Sequence, residues 1–423
     1  MIVGDVNDIS KMTVSNGTIT KDADVTIVKD STLNLNGGNL TLDSNDKLEG
    51  NLDVTLGRLT LDNASKSQFG KFTQSGGETF IEGTGFDLNN EDDNISGGKI
   101  TIGANTANSD LTLSEGKISG SANVRVKNNS SLNVSGGSIA DGATIKVEDS
   151  SAVSMSDGEI TNKSNLTFKD NSKMTMSGGE VSDNASLNFE DNSSFNMNNG
   201  TIKNNAKVNV TENSSFTMDK GKLTSNAELN VSNEGLFNMN GGIVSDDATI
   251  NLEHESTMNM AGGVIKSGAT LNVSDTSSVN MTDGNITKNA TVNLADRGQF
   301  NMSGGTFNDG ATLNIDDQGV FNISDGILDS DATMVISEQG KVNQSGGTVR
   351  LDKNDTFAGD YNMSGGSLDL IGVTKKESGE FKQTGGDTLI TGETFDLNNS
   401  ADKLTGGSLT IGTADDPSSQ KVL

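Results

Sequence analysis

The chain has 423 residues, a formal net charge of −28, no Cys, no Trp, one Pro and only 31% hydrophobic residues. That is too little apolar material for two or three ordinary globular cores. The acidity opposes binding to nucleic acid or anionic membranes, the lack of Cys excludes disulfides, thiolate catalysis and Cys-based zinc sites, and no apolar run approaches the ~18 residues of a membrane-spanning helix.

In chain order, Met1–Asp5 shows neither the basic start nor the apolar core of an export signal. Gly17 and Gly38 then stand 21 residues apart, and the spacing drifts through Gly57, Gly77 and Gly98. From Gly116 onward a glycine recurs every 21 residues through Gly137, Gly158, Gly179, Gly200, Gly221, Gly242, Gly263, Gly284, Gly305, Gly326 and Gly347. Irregular spacing returns at Gly366, Gly386 and Gly407, giving about 20 units in all. A short exact period of this kind is the signature of a stacked repeat protein.

Aligning the units shows the role of each column. Leu187, Val208, Leu229, Ile250, Leu271, Val292 and Leu313 occupy one position. Phe189, Val210, Val231, Leu252, Val273, Leu294 and Ile315 lie two residues later. Between them sit Asn188, Asn209, Asn230, Asn251, Asn272, Asn293 and Asn314. This period-two alternation predicts a half-buried strand. A second strand carries Phe195, Phe216 and Phe237 followed by Met197, Met218 and Met239, with Asn196 and Asn238 outward. A third, shorter strand follows the glycine and carries Ile139, Ile160, Val181, Ile202 and Leu223. At one corner, Gly142, Asn184, Asn205, Asn226, Asp247, Gly268, Asn289 and Gly310 predict a residue of positive φ, followed by a column of inward alanines. Ser151, Ser172, Ser193, Ser214, Ser256 and Ser277 mark another bend.

One unit cannot bury its apolar face alone, whereas stacked units can. The prediction is an all-β fold, a single right-handed parallel β-helix (β-solenoid) over residues 1–423 with three short strands per rung. At ~4.8 Å per rung its length is on the order of 95 Å. Residues 104–346 form regular rungs, while 38–103 and 347–412 are duplicated irregular cassettes offset by 309. Within them Phe72-Thr73-Gln74-Ser75-Gly76-Gly77 matches Phe381-Lys382-Gln383-Thr384-Gly385-Gly386, and Phe86-Asp87-Leu88-Asn89-Asn90 matches Phe395-Asp396-Leu397-Asn398-Asn399.

Segments such as Asn133-Val134-Ser135-Gly136-Gly137-Ser138-Ile139 and Asn301-Met302-Ser303-Gly304-Gly305-Thr306 resemble the Ser-Gly-Gly repeats of bacterial surface β-helix proteins, the autotransporter passengers and large repetitive adhesins. The resemblance covers nearly the whole chain. It implies a secreted, extracellular or cell-surface, non-enzymatic shaft serving adhesion, aggregation or filament formation. The chain departs from autotransporters in showing no C-terminal membrane-barrel pattern, and from toxin-type β-rolls in lacking their calcium-binding nonapeptides.

Three features are candidate sites. Asp149, Asp170, Asp191, Glu212, Asp275, Asp296 and Asp317 share a column that Asn233 and His254 interrupt. Stacked carboxylates repel, so the column reads either as a solvated acidic edge or as a ladder binding Ca²⁺, the one cofactor considered. The outward Asn columns, Asn188 to Asn314 on the first strand and the one with Asn196 and Asn238 on the second, are either amide ladders stiffening the stack or a face that binds a receptor, a glycan, ice or another copy. The glycines Gly137, Gly158, Gly179, Gly200, Gly242, Gly263, Gly284 and Gly305 read as structural turns, beside a methionine column, Met155 to Met302, that fills the core. His254 reads as a surface substitution. The four arginines, Arg58, Arg125, Arg297 and Arg350, are scattered, and no inserted loops wall a cleft, so no enzymatic activity is expected. The function expected is a stiff structural shaft. The alternatives are a subunit that stacks end to end through uncapped edges and a binding module using an Asn-rich face; neither nucleic acid nor membrane insertion is expected.

Overall fold

The structure is a computed structural model describing residues 1–5, 8–105, 108–392, 395–397, 399–412 and 421–422. All regular structure among the described residues is β. The chain divides into two compact units, Met1–Asn209 with Asn213–Ser215 and Val210–Glu212 with Phe216–Leu423. Each unit is a parallel β-solenoid.

One rung of the first unit shows how the sequence makes the fold. Thr144–Val147, Ala152–Met155 and Glu159–Ile160 are its three strands. Ile145, Val147, Val153, Met155 and Ile160 point inward and are buried, as is Ala143 at the corner. Each strand pairs in register with its equivalent 21 residues on, Ile145 beside Leu166 and Val153 beside Met174. The second unit repeats this, with Thr249–Leu252 on Thr270–Val273 and Thr257–Met260 on Ser278–Met281. Identical columns therefore stack on themselves. Phe168 and Phe189 lie parallel with centroids 4.6 Å apart, and Phe216 and Phe237 at 5.0 Å.

The corners are more demanding than the sequence suggested. The predicted left-handed column has positive φ, as at Asn184 (63°) and Asn289 (62°), but so does the residue before each, Asp183 (52°) and Lys288 (49°). Two consecutive left-handed residues make the bend. The corner between the first and second strands is built the same way, by pairs such as Asp170–Asn171 (55°, 62°) and Asp275–Thr276 (49°, 62°). These pairs continue the hydrogen-bond ladder. Asn171 N–H donates to the carbonyl of Asp191 at 3.1 Å, and Glu255 N–H to that of Asp275 at 3.2 Å. The serines predicted at this bend come just after it and face inward. Ser151 Oγ accepts from Ser130 N–H at 3.2 Å, and Ser277 Oγ from Ser256 N–H at 3.2 Å.

At the third corner the glycines have positive φ, except Gly116 and Gly137. At Gly137 a Cβ would press on the carbonyl oxygen of Gly116 and lie 2.8 Å from Leu113 Cγ. At Gly242 (φ +83°) a Cβ would lie 2.5 Å from Met218 Cε and 2.9 Å from the Gly221 carbonyl oxygen. Methionine columns and glycine columns are thus one device: the thioether methyl fills the space that the missing side chain leaves.

The cassettes break the regularity with longer strands. Thr32–Asp43 pairs with Asn51–Asp62 across a register shift between Leu35 and Asn39. Lys421–Val422 pairs antiparallel with Ser408–Gly412. Of the duplicated motif noted above, Asn398 lies outside the described residues.

Left-handed strain costs a non-glycine residue roughly 1–2 kcal/mol. Gly242→Ala adds an atomic clash to that strain, whereas Gly17 (φ +95°) has nothing within 4 Å of the new methyl. Urea denaturation should show Gly242→Ala clearly more destabilising than Gly17→Ala. Equal losses would mean that close approach at the glycine corner is unimportant.

Candidate functional site

The acidic column occupies the first of the two left-handed positions at its corner. φ is 55° at Asp149 and Asp170 and 53° at Asp191 in the first unit; it is 53° at Glu212, 49° at Asp275, 45° at Asp296 and 39° at Asp317 in the second. The interruptions share the conformation, with Asn233 at 49° and His254 at 51°. Asp, Asn and His are the non-glycine residues most enriched in this backbone region. Backbone conformation thus accounts for the column's residue types without an ion. It also explains His254, which is exposed with Nε2 3.7 Å from Asp275 Oδ2. The carboxylates lie at the surface, Asp191 half-buried with Lys169 Nζ at 3.9 Å.

The asparagine column forms hydrogen-bonded ladders. In the first unit Asn209 Nδ2 donates to Asn188 Oδ1, and Asn188 Nδ2 to Asn165 Oδ1, both at 2.7 Å. In the second, Asn314, Asn293, Asn272 and Asn251 each donate to the Asn of the preceding rung at 2.8 Å, reaching back to Asn230 Oδ1. These side chains are half-buried. Thr249, Thr270, Thr291 and Thr312 flank them in register, so four successive rungs present one uncharged Thr–Asn face.

The second outward Asn column expected from the sequence, the one that includes Asn238, is also a hydrogen-bonded ladder. It runs through Asn259, Asn280, Asn301, Asn322 and Asn343 to Asn362, with amide contacts of 2.8–3.1 Å. It keeps the 21-residue spacing as far as Asn343 and crosses into the second cassette with a 19-residue step to Asn362.

What sequence reasoning missed was a polar network inside both cassettes. Lys66 Nζ meets Asp93 Oδ2 at 2.8 Å with side chains 4% and 0% exposed; Lys375 and Asp402 repeat the pair at 3.1 Å. Asp93 also accepts from the N–H groups of Phe72 (2.7 Å) and Asn90 (3.0 Å), as Asp402 does from Phe381 and Asn399. Asp46 and Asp355 hold the same turn without a lysine, accepting from Val25 and Met334 N–H at 2.6 Å. Buried Gln74 and Gln383 bind Thr79 and Thr388 through Oε1. The available signal was the recurrence of each of these residues at the 309 offset.

Electrostatics follow burial. Desolvation pushes Asp93 above the usual carboxylate range, against the pull of Lys66 and the backbone donors. Asp355 has no cation and is pushed up to about 6, chiefly by burial.

The chain matches no known protein-family model, no curated protein and no solved structure. Its β-solenoid repeat architecture is established by the fold alone.

Two predictions follow from this geometry. Asn272→Ala removes one ladder bond given and one received, at a cost of about 1–2 kcal/mol. Asn314 stands beside Val335 on the next rung and loses only one; Asn314→Ala should shift the urea midpoint about half as far. For Asp355, the folded state holds a proton between pH ~4 and ~6 that the unfolded state has released, so the group's contribution to stability falls as pH rises through that window. Asp355→Asn should flatten this part of the curve of melting temperature against pH. Parallel curves for variant and wild type would refute the assignment.

Proposed function

We propose that this chain is a non-enzymatic structural shaft of a bacterial cell-surface adhesin or extracellular filament. The observation that carries the reading is the commitment of side chains to neighbouring rungs. Outer asparagines bond to asparagines, inward serines to the next backbone, and corner amides to the next corner. Polar groups held this way resist separation of rungs, which is what a load-bearing element requires, and the surrounding acidity discourages lateral aggregation. The Ser-Gly-Gly repeats and the absence of cysteine agree with a protein that works outside the cell.

Single-molecule pulling tests the mechanical reading. A shaft should lengthen rung by rung, in steps of roughly 70 Å for 21 extended residues. Collapse of a whole unit at low force, with no rung-sized steps, would refute it. Thermal shift against soluble glycans and Ca²⁺ should leave the melting temperature unchanged. A rise of several degrees with a glycan would instead favour a binding module using the Asn face. Threads that lengthen with protein concentration under the electron microscope would favour the filament-subunit alternative.

A further inference from the structure

The buried cluster of the first cassette brings together groups that can react as well as pair. Lys66 Nζ lies 2.6 Å from Asn89 Oδ1 and 2.8 Å from Asp93 Oδ2, and it also donates to the Gly70 carbonyl at 3.0 Å. A carboxamide and a carboxyl group therefore both contact one primary amine. The amine and the carboxyl are almost wholly removed from water. Asp93 is fixed by two backbone donors, including that of Phe72, whose ring meets Phe86 edge-to-face at 5.3 Å.

We propose that Lys66 and Asn89 condense spontaneously into an intramolecular isopeptide bond, with Asp93 as the proton-transfer group. Contact with the amide oxygen at a normal carbonyl angle leaves Nζ roughly 3.4 Å from Asn89 Cγ. Oriented groups react at about 3–3.5 Å. In low dielectric the charged pair exchanges a proton, giving a neutral amine and a neutral acid. The direction of the Asp93 shift, upward through burial, favours that exchange. The amine then attacks Cγ, forming the Nζ–Cγ bond while the Asp93 hydroxyl hydrogen-bonds to the amide oxygen. One amine proton passes to Nδ2, the Cγ–Nδ2 bond breaks, and ammonia leaves. An ammonium, a carboxylate and a carboxamide become a secondary amide, a carboxylic acid and one NH₃. No oxidant, metal or co-reactant is consumed, and Asp93 ends neutral in its buried site.

The product ties the stretch after Asn51–Asp62 to the stretch after Phe86–Leu88, a covalent clamp between segments otherwise joined by hydrogen bonds. In the second cassette Lys375 and Asp402 repeat the acid–base pair, and the residue matching Asn89 in sequence, Asn398, lies outside the described residues. The inference is independent of the shaft reading, because it rests on the geometry of one buried cluster.

Intact-mass spectrometry of the folded full-length chain tests it. The expected mass is below the sequence mass by at least one ammonia. Trypsin should fail to cut after Lys66, and fragment spectra should show a branched peptide joining Lys66 to Asn89. Asn89→Ala and Lys66→Met should each abolish that branched peptide, and Asp93→Asn should slow its appearance after refolding. Folded wild-type protein that keeps unlinked Lys66 and Asn89 after days at pH 7 and pH 9 would overturn the proposal. So would a branched peptide that maps to other residues, or a mass deficit that Asn89→Ala leaves unchanged.

Discussion

A β-solenoid satisfies its backbone only if the ladder of hydrogen bonds survives the corners, where a chain normally leaves its sheet. In this protein it survives because pairs of consecutive left-handed residues turn each N–H toward the equivalent carbonyl one rung on, as Asn171 does toward Asp191. Everything else follows from that continuity. With corners in register the strands are in register, and with strands in register each side chain meets its own kind. Phenylalanine then stacks on phenylalanine, methionine methyls nest over glycines, and asparagines bond to asparagines. A one-residue slip would break the corner bonds, the core and the amide ladders together, so the 21-residue period is held by several independent forces at once.

Much of this was legible in the sequence. The alternation of Leu271, Asn272 and Val273 identified a strand, and its return every 21 residues identified a stack. One left-handed column was legible because it includes Gly142, Gly268 and Gly310 alongside Asn. Its counterpart was not, because the corner at Asp149, Asp170 and Asp191 uses no glycine and its carboxylates drew attention to charge rather than to backbone. The same residue type can answer an electrostatic or a conformational need, and composition alone does not separate the two. Two-residue turns also escaped because the second position tolerates nearly anything once the first is set: Ser150, Asn171, Thr276, Arg297 and Gln318 all occupy it.

The cassettes were recognised as irregular but not as polar inside. A lysine in a stretch such as Ser65-Lys66-Ser67-Gln68 looks like a surface residue, and only the fold brings it to an aspartate 27 positions later. Burying such a pair costs desolvation that its mutual attraction offsets only when other hydrogen bonds are complete. Here they are complete: Asp93 has two backbone donors, and Lys66 has a carbonyl and an amide oxygen. The same arrangement occurs in both cassettes, so it belongs to how an irregular rung is closed. Where the strand spacing leaves a backbone N–H without a carbonyl above it, an aspartate supplies the oxygen, as Asp355 does for Met334.

The amide ladders have one more property. In the second unit every link points the same way, Nδ2 of the later rung toward Oδ1 of the earlier one. Such a column is a vector, and its aligned dipoles sum along the axis as peptide dipoles do in a helix. At Asn230 the column also meets an anion, since Asn230 Nδ2 gives a hydrogen to Glu228 Oε1 at 2.8 Å. At its acceptor end Val335 offers no amide. A solenoid is usually pictured as a symmetrical bar, but a stack carrying such a column is electrically oriented along its axis.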